Sequence, residues 1–507
     1  MTPNNNSIFY TRPWFLRIFM AACFLVALGI RVYDLNDLPL DFHPSRQLQS
    51  MLKARGMFLA NNAPAQTPPW QRQMAIAQWK IMPTEEPEIV EKLALWAYQA
   101  SGSVNLWFPR FFSILFWLAG GIGLFLLISD LVGKDGAVVG TLFYLFLPYA
   151  VIASRAFMPD PLMIMFIIWG IWGLNRWHIR PGWGAAILAG GLCAMAILVK
   201  LTAIFMIAGA IFGLELGERG FKKSLRNPQL WVLGILSLLP AAIYNFVGIY
   251  VAGFISQGSV GGRILLNLVV DPLSYIRWDN KVEEVLGITA LLLAIAGTFL
   301  LKDRRGRSLM LGLWGGYVLF GIFFMYYYGT HDYYHLPLIP IVAIGLAALG
   351  QAVIQALREI SPGKLSNFVI VGVLLLAVGQ NTWAVRNTLK RTDYKPEAVF
   401  WQTLGDKLRG YNVLALTQDY NGRLSYWGWF DAAYFPSLGD FQHQATAGST
   451  EDPLQYFKHA SAGKDLFLDT MLDELDAQPQ FKALLYATYP VFDQGQGYVI
   501  FDLRKTN

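Results

Sequence analysis

The stretch WGAAILAGGLCAMAILVKLTAIFMIAGAIFGLEL occupies residues 183–216 and is apolar for almost its whole length, with Lys200 near its centre. A membrane-spanning α-helix needs roughly 20 apolar residues. The stretch therefore predicts two short spans, 183–199 and 201–216, that are joined by a tight turn at Lys200. A charged side chain in such a place is costly, so the default interpretation is that Lys200 is a functional residue that binds a ligand.

The rest of the chain repeats this pattern, which predicts a polytopic α-helical membrane protein. Of its 507 residues 55% are hydrophobic and only 15% are charged. Both cysteines fall inside apolar stretches, so no disulfide framework or zinc site is expected. The pattern predicts eleven spans, at 14–33, 106–129, 136–153, 159–176, 183–199, 201–216, 230–254, 285–301, 308–328, 334–353 and 366–385.

The basic residues predict the orientation of these spans. The net charge of +6 comes with Lys and Arg concentrated in short loops, which favours membrane topology over nucleic-acid binding. Short basic loops stay in the cytoplasm, so a cytoplasmic N-terminus places nearly all of them inside. We therefore expect an inner or plasma membrane protein whose C-terminus is extracytoplasmic.

Two domains are expected from the change in composition near residue 386. Residues 1–385 form the membrane module, and its outer loop, 34–105, contains two amphipathic helices that lie along the interface. Residues 386–507 are polar and include strand-like stretches at 412–417, 465–469 and 497–503, which predict a small soluble α/β domain.

Polar groups collect in the loops that this topology places outside. The first outer loop contains Asp41, His43 and Arg46, and later the cluster Glu85-Glu86-Pro87-Glu88. A carboxylate near a low-dielectric surface is a candidate general base or cation ligand. Helix capping is the alternative interpretation for Asp41 and Glu88.

Further outer loops add Arg155, Asp160 and Lys200, and then the patch Tyr326 to Pro337. Anchoring at the membrane border is the alternative for Arg155 and Asp160. His331 and His335 are four residues apart, so on a helix they would share one face. Metal binding is less favoured than a hydrogen bond to a phosphate or sugar, since no Cys and only one carboxylate are adjacent.

In order along the chain, these residues resemble the GT-C membrane glycosyltransferases. The resemblance is to bacterial relatives of protein O-mannosyltransferases and of the aminoarabinose transferase that modifies lipid A. It covers residues 14–385. Its elements are Glu86-Pro87, Phe108-Pro109-Arg110, Ser154-Arg155 to Asp160, Lys200, and His331 to Tyr334 with Pro337 and Pro340.

The resemblance implies a polyprenyl-phosphate-linked sugar donor and a lipid, glycan or protein acceptor. By this analogy Asp41 is the base toward the acceptor hydroxyl, and Glu86 and Asp160 orient the acceptor or sugar. The remaining predicted residues bind substrate or the leaving lipid phosphate, whose growing negative charge needs fixed donors. They are His43, Arg46, Arg155, Lys200, His331, Tyr334 and His335.

One departure from the family pattern leaves the catalytic base open. Many relatives have an Asp-Glu pair after a His-Pro in the first outer helix, whereas this chain has Ser45-Arg46 after His43-Pro44. Asp41 takes over that role, or Glu85 or Glu86 supplies the acid, or the activity is altered. Arg46 is also a candidate for bidentate contact with phosphate.

Two other classes of function remain as alternatives. A transporter or flippase has many helices and intramembrane charges, but it typically shows repeated halves and sites near the midplane. A non-catalytic lipid-binding scaffold would not need a carboxylate, a lysine and a histidine from four loops. No cofactor is required by the pattern, although a divalent cation is compatible with it. In the C-terminal domain, Tyr426, Trp427, Trp429 and Phe430 suit stacking on sugar rings, while core packing is expected for at least half of them.

Overall fold

The computed structural model of this protein describes residues 13–256, 263–361 and 364–505, and most of these are helical. The chain divides into two compact units. The first contains the described residues up to Leu35, the short segment Pro83–Ile89, and Pro109–Thr392. The second contains Asn36–Met82, Val90–Phe108 and the residues from Asp393 onward. The predicted boundary at residues 385 and 386 stays a prediction, and the helix there runs on to Arg391.

The first unit is a bundle of helices, several of which are broken. Its α-helices are Pro13–Val32, Trp107–Leu131, Lys134–Phe146, Pro148–Ala153, Asp160–Ile179, Trp183–Val199, Ile204–Ile211, Phe221–Leu225, Pro228–Phe246, Pro272–Leu286, Ile288–Leu300, Arg304–Phe323, Met325–Thr330, Leu338–Ile360 and Lys364–Arg391. Shorter 3-10 turns lie at Leu201–Ala203, Leu266–Val270 and Asp332–His335, and π-helical turns at Phe212–Arg219 and Val247–Val251.

Each of the eleven predicted spans overlaps one or more helices. Among the described residues, eight helices are long and apolar enough to cross a membrane, or nine if a bent pair forms one span. The bent pair turns by 89° at Gly287, whose φ of 81° favours glycine. The predicted span 136–153 is interrupted at Pro148, because proline cannot donate the helical hydrogen bond. The helix Trp183–Val199 is apolar but short.

The second unit combines helices with one five-stranded sheet. Its strands are β1 Val413–Leu416, β2 Ala433–Tyr434, β3 Leu466–Asp469, β4 Val491–Gly495 and β5 Tyr498–Asp502, in the order β2-β1-β3-β5-β4. β1 is parallel to β2 and β3, whereas β3–β5 and β5–β4 are antiparallel. The three predicted strands correspond to β1, β3 and β5, so the α/β character of this region is confirmed.

The helices of the second unit come from two parts of the chain. They are Pro44–Asn62, Pro69–Ile81, Ile89–Ser101, Lys395–Leu408, Gly422–Tyr426, Leu438–Thr446, Pro453–Ala460, Leu472–Asp476 and Pro479–Thr488. Three of them precede residue 105, where we predicted two. The proline-rich segment 63–69 leads directly into the additional helix Pro69–Ile81, since proline is well tolerated in the first helical turn.

Apolar side chains cover both faces of the sheet. Along β1, Leu414 and Leu416 belong to one buried cluster, whereas Val413 and Ala415 belong to another. The alternation follows from the two-residue period of a strand. A sheet covered on both sides forms a stable core for the C-terminal residues.

Candidate functional site

The first unit contains a cavity of about 260 Å³ that combines apolar walls with a few charged groups. The walls come from helices that we predicted as spans, with Ile197, Leu201, Phe205 and Phe323 among the side chains. The charged residues are Glu85, Glu86, Lys200 and Arg263. A mostly apolar cavity with a few convergent polar groups is typical of a ligand site.

Lys200 lies where the chain stops being helical between two apolar helices. Its backbone is extended, with φ −155° and ψ 121°, between Trp183–Val199 and the 3-10 turn Leu201–Ala203. The side chain is 7% exposed. Its Nζ donates to Asp160 Oδ1 over 2.8 Å and lies 4.0 Å from Glu86 Oε1. The predicted turn at Lys200 is confirmed, and the charge has polar partners.

Asp160 is the first residue of the helix Asp160–Ile179, and Pro159 and Pro161 flank it. Its carboxylate is buried, at 1% exposure. The helix N-terminus favours a negative charge there. Asp160 Oδ2 is buried and has no hydrogen-bond partner among the described residues. The pair with Lys200 is therefore the principal compensation for burying this charge.

The tyrosines of the predicted aromatic patch surround Lys200 on another side. The Nζ of Lys200 lies 4.9 Å from the ring centroid of Tyr333 and 5.5 Å from that of Tyr334. Cation–π contacts of this length are attractive. Tyr334 also lines the cavity, and its substrate-binding role stays a prediction.

A second ion pair, Glu85 with Arg263, lines the same cavity. The guanidinium carbon of Arg263 also lies 5.8 Å from the ring centroid of Tyr327. Sequence reasoning considered Glu85 only as an alternative acid and missed Arg263. The available signal was a single arginine in the otherwise uncharged stretch that precedes Asp271, within a segment predicted to lie outside.

Four predicted residues of this unit do not line the cavity: Asp160, which is paired with Lys200, and Arg155, His331 and His335. Arg155 is buried, and its Nη2 donates to the carbonyl of Asp34 over 3.0 Å. His331 lies 2.7 Å from the hydroxyl of Thr330, and its ring contacts Tyr334 at 6.0 Å between centroids. His331 is therefore a neighbour of a cavity residue.

The predicted substrate-binding role of His335 does not agree with its position. The ring is fully buried, with Nδ1 at 2.6 Å from the Tyr317 hydroxyl and Nε2 at 2.9 Å from the Tyr328 carbonyl. Both nitrogens are thus engaged within the bundle. Residues 332–335 form a 3-10 turn, so the helical face that His331 and His335 were considered to share is absent from this described segment.

Asp41, His43 and Arg46 belong to the second unit, so their part in a site with Glu86 stays a prediction. The helix Pro44–Asn62 begins after His43, which has a left-handed φ of 40° and whose side chain makes no capping hydrogen bond. The capping interpretation of Asp41 stays a prediction. Arg46 Nη1 donates to Gln49 Oε1 over 3.0 Å, and the His43 ring packs edge-on against Phe42.

No group of three or more His, Cys, Asp and Glu is arranged to hold a metal ion among the residues that the structure describes. The cavity nevertheless contains carboxylates of the type that divalent cations prefer. Cation dependence stays a prediction to be tested.

The fold of the chain is similar to that of solved GT-C membrane glycosyltransferases, which confirms the predicted resemblance at the level of the fold. The chain is a multi-pass membrane protein. Residues 92–245 match the family described as dolichyl-phosphate-mannose-protein mannosyltransferase. A search of the curated proteins by sequence finds no match.

Solved structures of two proteins share the fold over nearly the whole chain. ArnT from Cupriavidus metallidurans in the apo state has 13% identity and a TM-score of 0.59, covering 97% of this chain and 98% of its own. ArnT bound to undecaprenyl phosphate has 14% identity and a TM-score of 0.55, covering 96% and 98%. The oligosaccharyltransferase AglB from Archaeoglobus fulgidus, in complex with an inhibitory peptide and a dolichol-phosphate, has 12% identity and a TM-score of 0.56, covering 96% and 74%.

Proposed function

We propose that this protein is an integral-membrane glycosyltransferase that moves a sugar from a polyprenyl-phosphate-linked donor to an acceptor on the extracytoplasmic face. The observation that carries the proposal is the convergence of Lys200 and Glu86 at an apolar cavity, with Asp160 paired to Lys200 behind it. A polyprenyl phosphate has the same two parts, an apolar chain and an anionic head. The lipid phosphates bound by ArnT and AglB support the same donor class here.

The proposed chemistry assigns complementary tasks to the charged groups. As the acceptor hydroxyl oxygen forms a bond to the anomeric carbon of the sugar, the bond from the sugar to the lipid phosphate breaks and negative charge grows on the phosphate oxygens. Lys200 and Arg263 are fixed donors for that charge, and the low-dielectric walls strengthen the interaction. Glu86 or Glu85 then orients the acceptor hydroxyl or accepts its proton, and Asp41 of the second unit is the alternative base.

Binding and transfer by the purified full chain in nanodiscs test this proposal. Undecaprenyl phosphate should bind, and Lys200→Ala should weaken binding at least tenfold, whereas the exposed Lys302→Ala should not. Glu86→Gln and Asp160→Asn should reduce sugar transfer in membranes more than a hundredfold. A protein that binds no polyprenyl phosphate, or that transfers normally in both variants and in Asp41→Asn, would overturn the proposal.

The donor sugar and the acceptor are to be identified in cells. Deleting the gene should change the mass of one envelope lipid or glycan by the mass of the transferred group. Complementation with the wild-type gene should restore that mass, and complementation with Asp160→Asn should not.

A further inference from the structure

A second cavity, of about 510 Å³, lies wholly within the second unit. This volume is in the range of small-molecule sites. Its floor includes the buried residues Phe58, Leu59 and Tyr426, and Trp427 and Trp429 form half-buried walls. Nothing in the proposed transfer chemistry uses this cavity.

The aromatic walls are held in place by the backbone between them. Gly428 packs so closely against the helix Lys395–Leu408 that a Cβ atom there would lie 2.8 Å from the carbonyl of Trp401. Trp429 follows in a left-handed conformation, with φ 48°. A bulky residue in this region is strained, and such strain is concentrated at functional sites. The two indoles are thus presented on a rigid loop.

Arg55 fixes the same loop, and its terminal nitrogens donate to groups of the protein. Its guanidinium carbon lies 4.2 Å from the ring centroid of Tyr426 and 3.8 Å from that of Trp429. The Nη atoms donate to the backbone carbonyls of Ser425 and Tyr426 and to Gln78 Oε1. Both faces and both terminal nitrogens are therefore occupied by the protein.

The other polar lining groups are neutral. They are the side chains of Gln66, Thr67, Gln71, Ser103 and Gln402. Amide and hydroxyl groups both donate and accept hydrogen bonds. Arg55 is the one charged side chain among the described residues that line the cavity. An anionic ligand would meet only the Arg55 guanidinium, whose terminal nitrogens already donate within the protein, and a cationic ligand would find no carboxylate among the described residues that line the cavity.

We infer that this cavity binds a neutral saccharide, which is the carbohydrate part of the acceptor. A pyranose ring has an apolar C–H face that suits an indole and hydroxyls that suit amide side chains. Aromatic faces with a few hydrogen-bonding groups provide both contacts at once. The identification of the saccharide as the acceptor rests on the proposed function, whereas its binding does not.

An array of neutral and acidic glycans, probed with the full chain in detergent, tests the inference. The wild-type protein should retain neutral glycans in preference to acidic ones. Trp427→Ala should reduce retention at least tenfold, and Trp427→Phe should retain most of it because an aromatic face remains. Gln402 is exposed on the rim, so Gln402→Ala should weaken binding about threefold without affecting the fold, and Gln494→Ala on β4 is its control.

The outcomes separate this inference from the proposed function. Asp160→Asn should abolish transfer and leave glycan retention unchanged. If no neutral glycan is retained, or if Trp427→Ala and Gln402→Ala retain glycans as the wild type does, the inference is wrong even where sugar transfer is normal. Glycan retention without any sugar transfer would support a saccharide site and contradict its assignment to an acceptor.

Discussion

Lys200 and Asp160 show how a single pair of charges is tolerated inside an apolar bundle. Each is at most 7% exposed, and they are 2.8 Å apart. Removing one partner of a buried pair leaves an uncompensated charge, whereas replacing both with apolar residues is often neutral. Stability and chemistry can therefore be separated experimentally at these two positions.

We expect Lys200→Met to lower the free energy of unfolding by about 3–5 kcal/mol, because Asp160 loses its principal partner. Lys200→Met combined with Asp160→Leu should recover most of that loss in thermal denaturation of the detergent-solubilised protein. Sugar transfer should be absent from both proteins. A double variant that transfers sugar would exclude both residues from the chemistry.

Asp469 at the end of β3 is a second buried carboxylate, but it has no cation beside it. Its Oδ1 accepts from the backbone N–H of Met471, and its Oδ2 is buried without a hydrogen-bond partner among the described residues. Burial raises the pKa of Asp469 from 3.8 to about 7, and Glu474 and Asp476 act in the same direction. The folded state therefore holds this proton more tightly than the unfolded state.

Stability contributed by the protonated Asp469 should be present at low pH and lost as pH rises from about 4 through about 7, a change of about 4 kcal/mol. Asp469→Asn should remove this pH dependence. Hydrogen exchange of the β3 amides in the full chain, corrected for the intrinsic rate between pH 5 and 8, measures the effect. If the stability of β3 changed with pH equally in the wild type and in Asp469→Asn, the raised pKa of Asp469 would be contradicted.

Among the elements, the helices Ile204–Ile211 and Arg304–Phe323 approach each other closely through glycine. A Cβ at Gly209 would lie 2.3 Å from the carbonyl of Gly312, and a Cβ at Gly312 would lie 2.1 Å from that of Gly209. Small residues allow such backbone contact in membranes, where packing replaces the hydrophobic effect as the driving force. Any larger side chain must separate the two helices.

We expect Gly312→Leu to destabilise the bundle by about 1–3 kcal/mol or more. Gly315→Leu on the same helix is a matched control, because a Cβ at Gly315 has no atom within 4 Å. The stability of both variants is measured by heating them and recording, by size-exclusion chromatography, how much monodisperse protein is left at each temperature. Equal stability of the two variants would show that the helices accommodate the side chain by shifting.

The strands and helices that could be predicted from the sequence have a clear hydrophobic pattern, and those that were missed do not. β1, β3 and β5 are apolar strands in the core, and the sequence pattern predicted all three. β2 has two residues, and β4 is largely exposed with an irregular register, so neither carries a hydrophobic pattern. The helix Pro69–Ile81 was missed because its proline-rich start resembles a turn.

For the protein as a whole, the distribution of basic loops predicts which face each unit occupies. The test uses single cysteines, since the native Cys23 and Cys193 are both buried. Ser449→Cys in the C-terminal residues should react in intact cells with a maleimide that cannot cross the membrane. Lys302→Cys, in a basic loop, should react only after permeabilisation.

The opposite labelling pattern would show that the predicted orientation is wrong, and the proposed transfer reaction would then lie on the cytoplasmic face. Labelling of both cysteines in intact cells would instead indicate leaky cells, which a cytoplasmic marker protein with an exposed cysteine controls.

Local sequence was sufficient for the class of fold and the approximate positions of the helices, and it singled out Lys200, Asp160 and Glu86, which the structure brings together. Hydropathy and charge act residue by residue along the chain, so a pattern can be read without knowing what packs against it. The contacts of the site depend on packing between distant segments. Arg263 pairs with Glu85 across 178 positions, and His335 turned out to be buried against Tyr317 and Tyr328. No local pattern encodes such pairings, because they depend on how the helices pack.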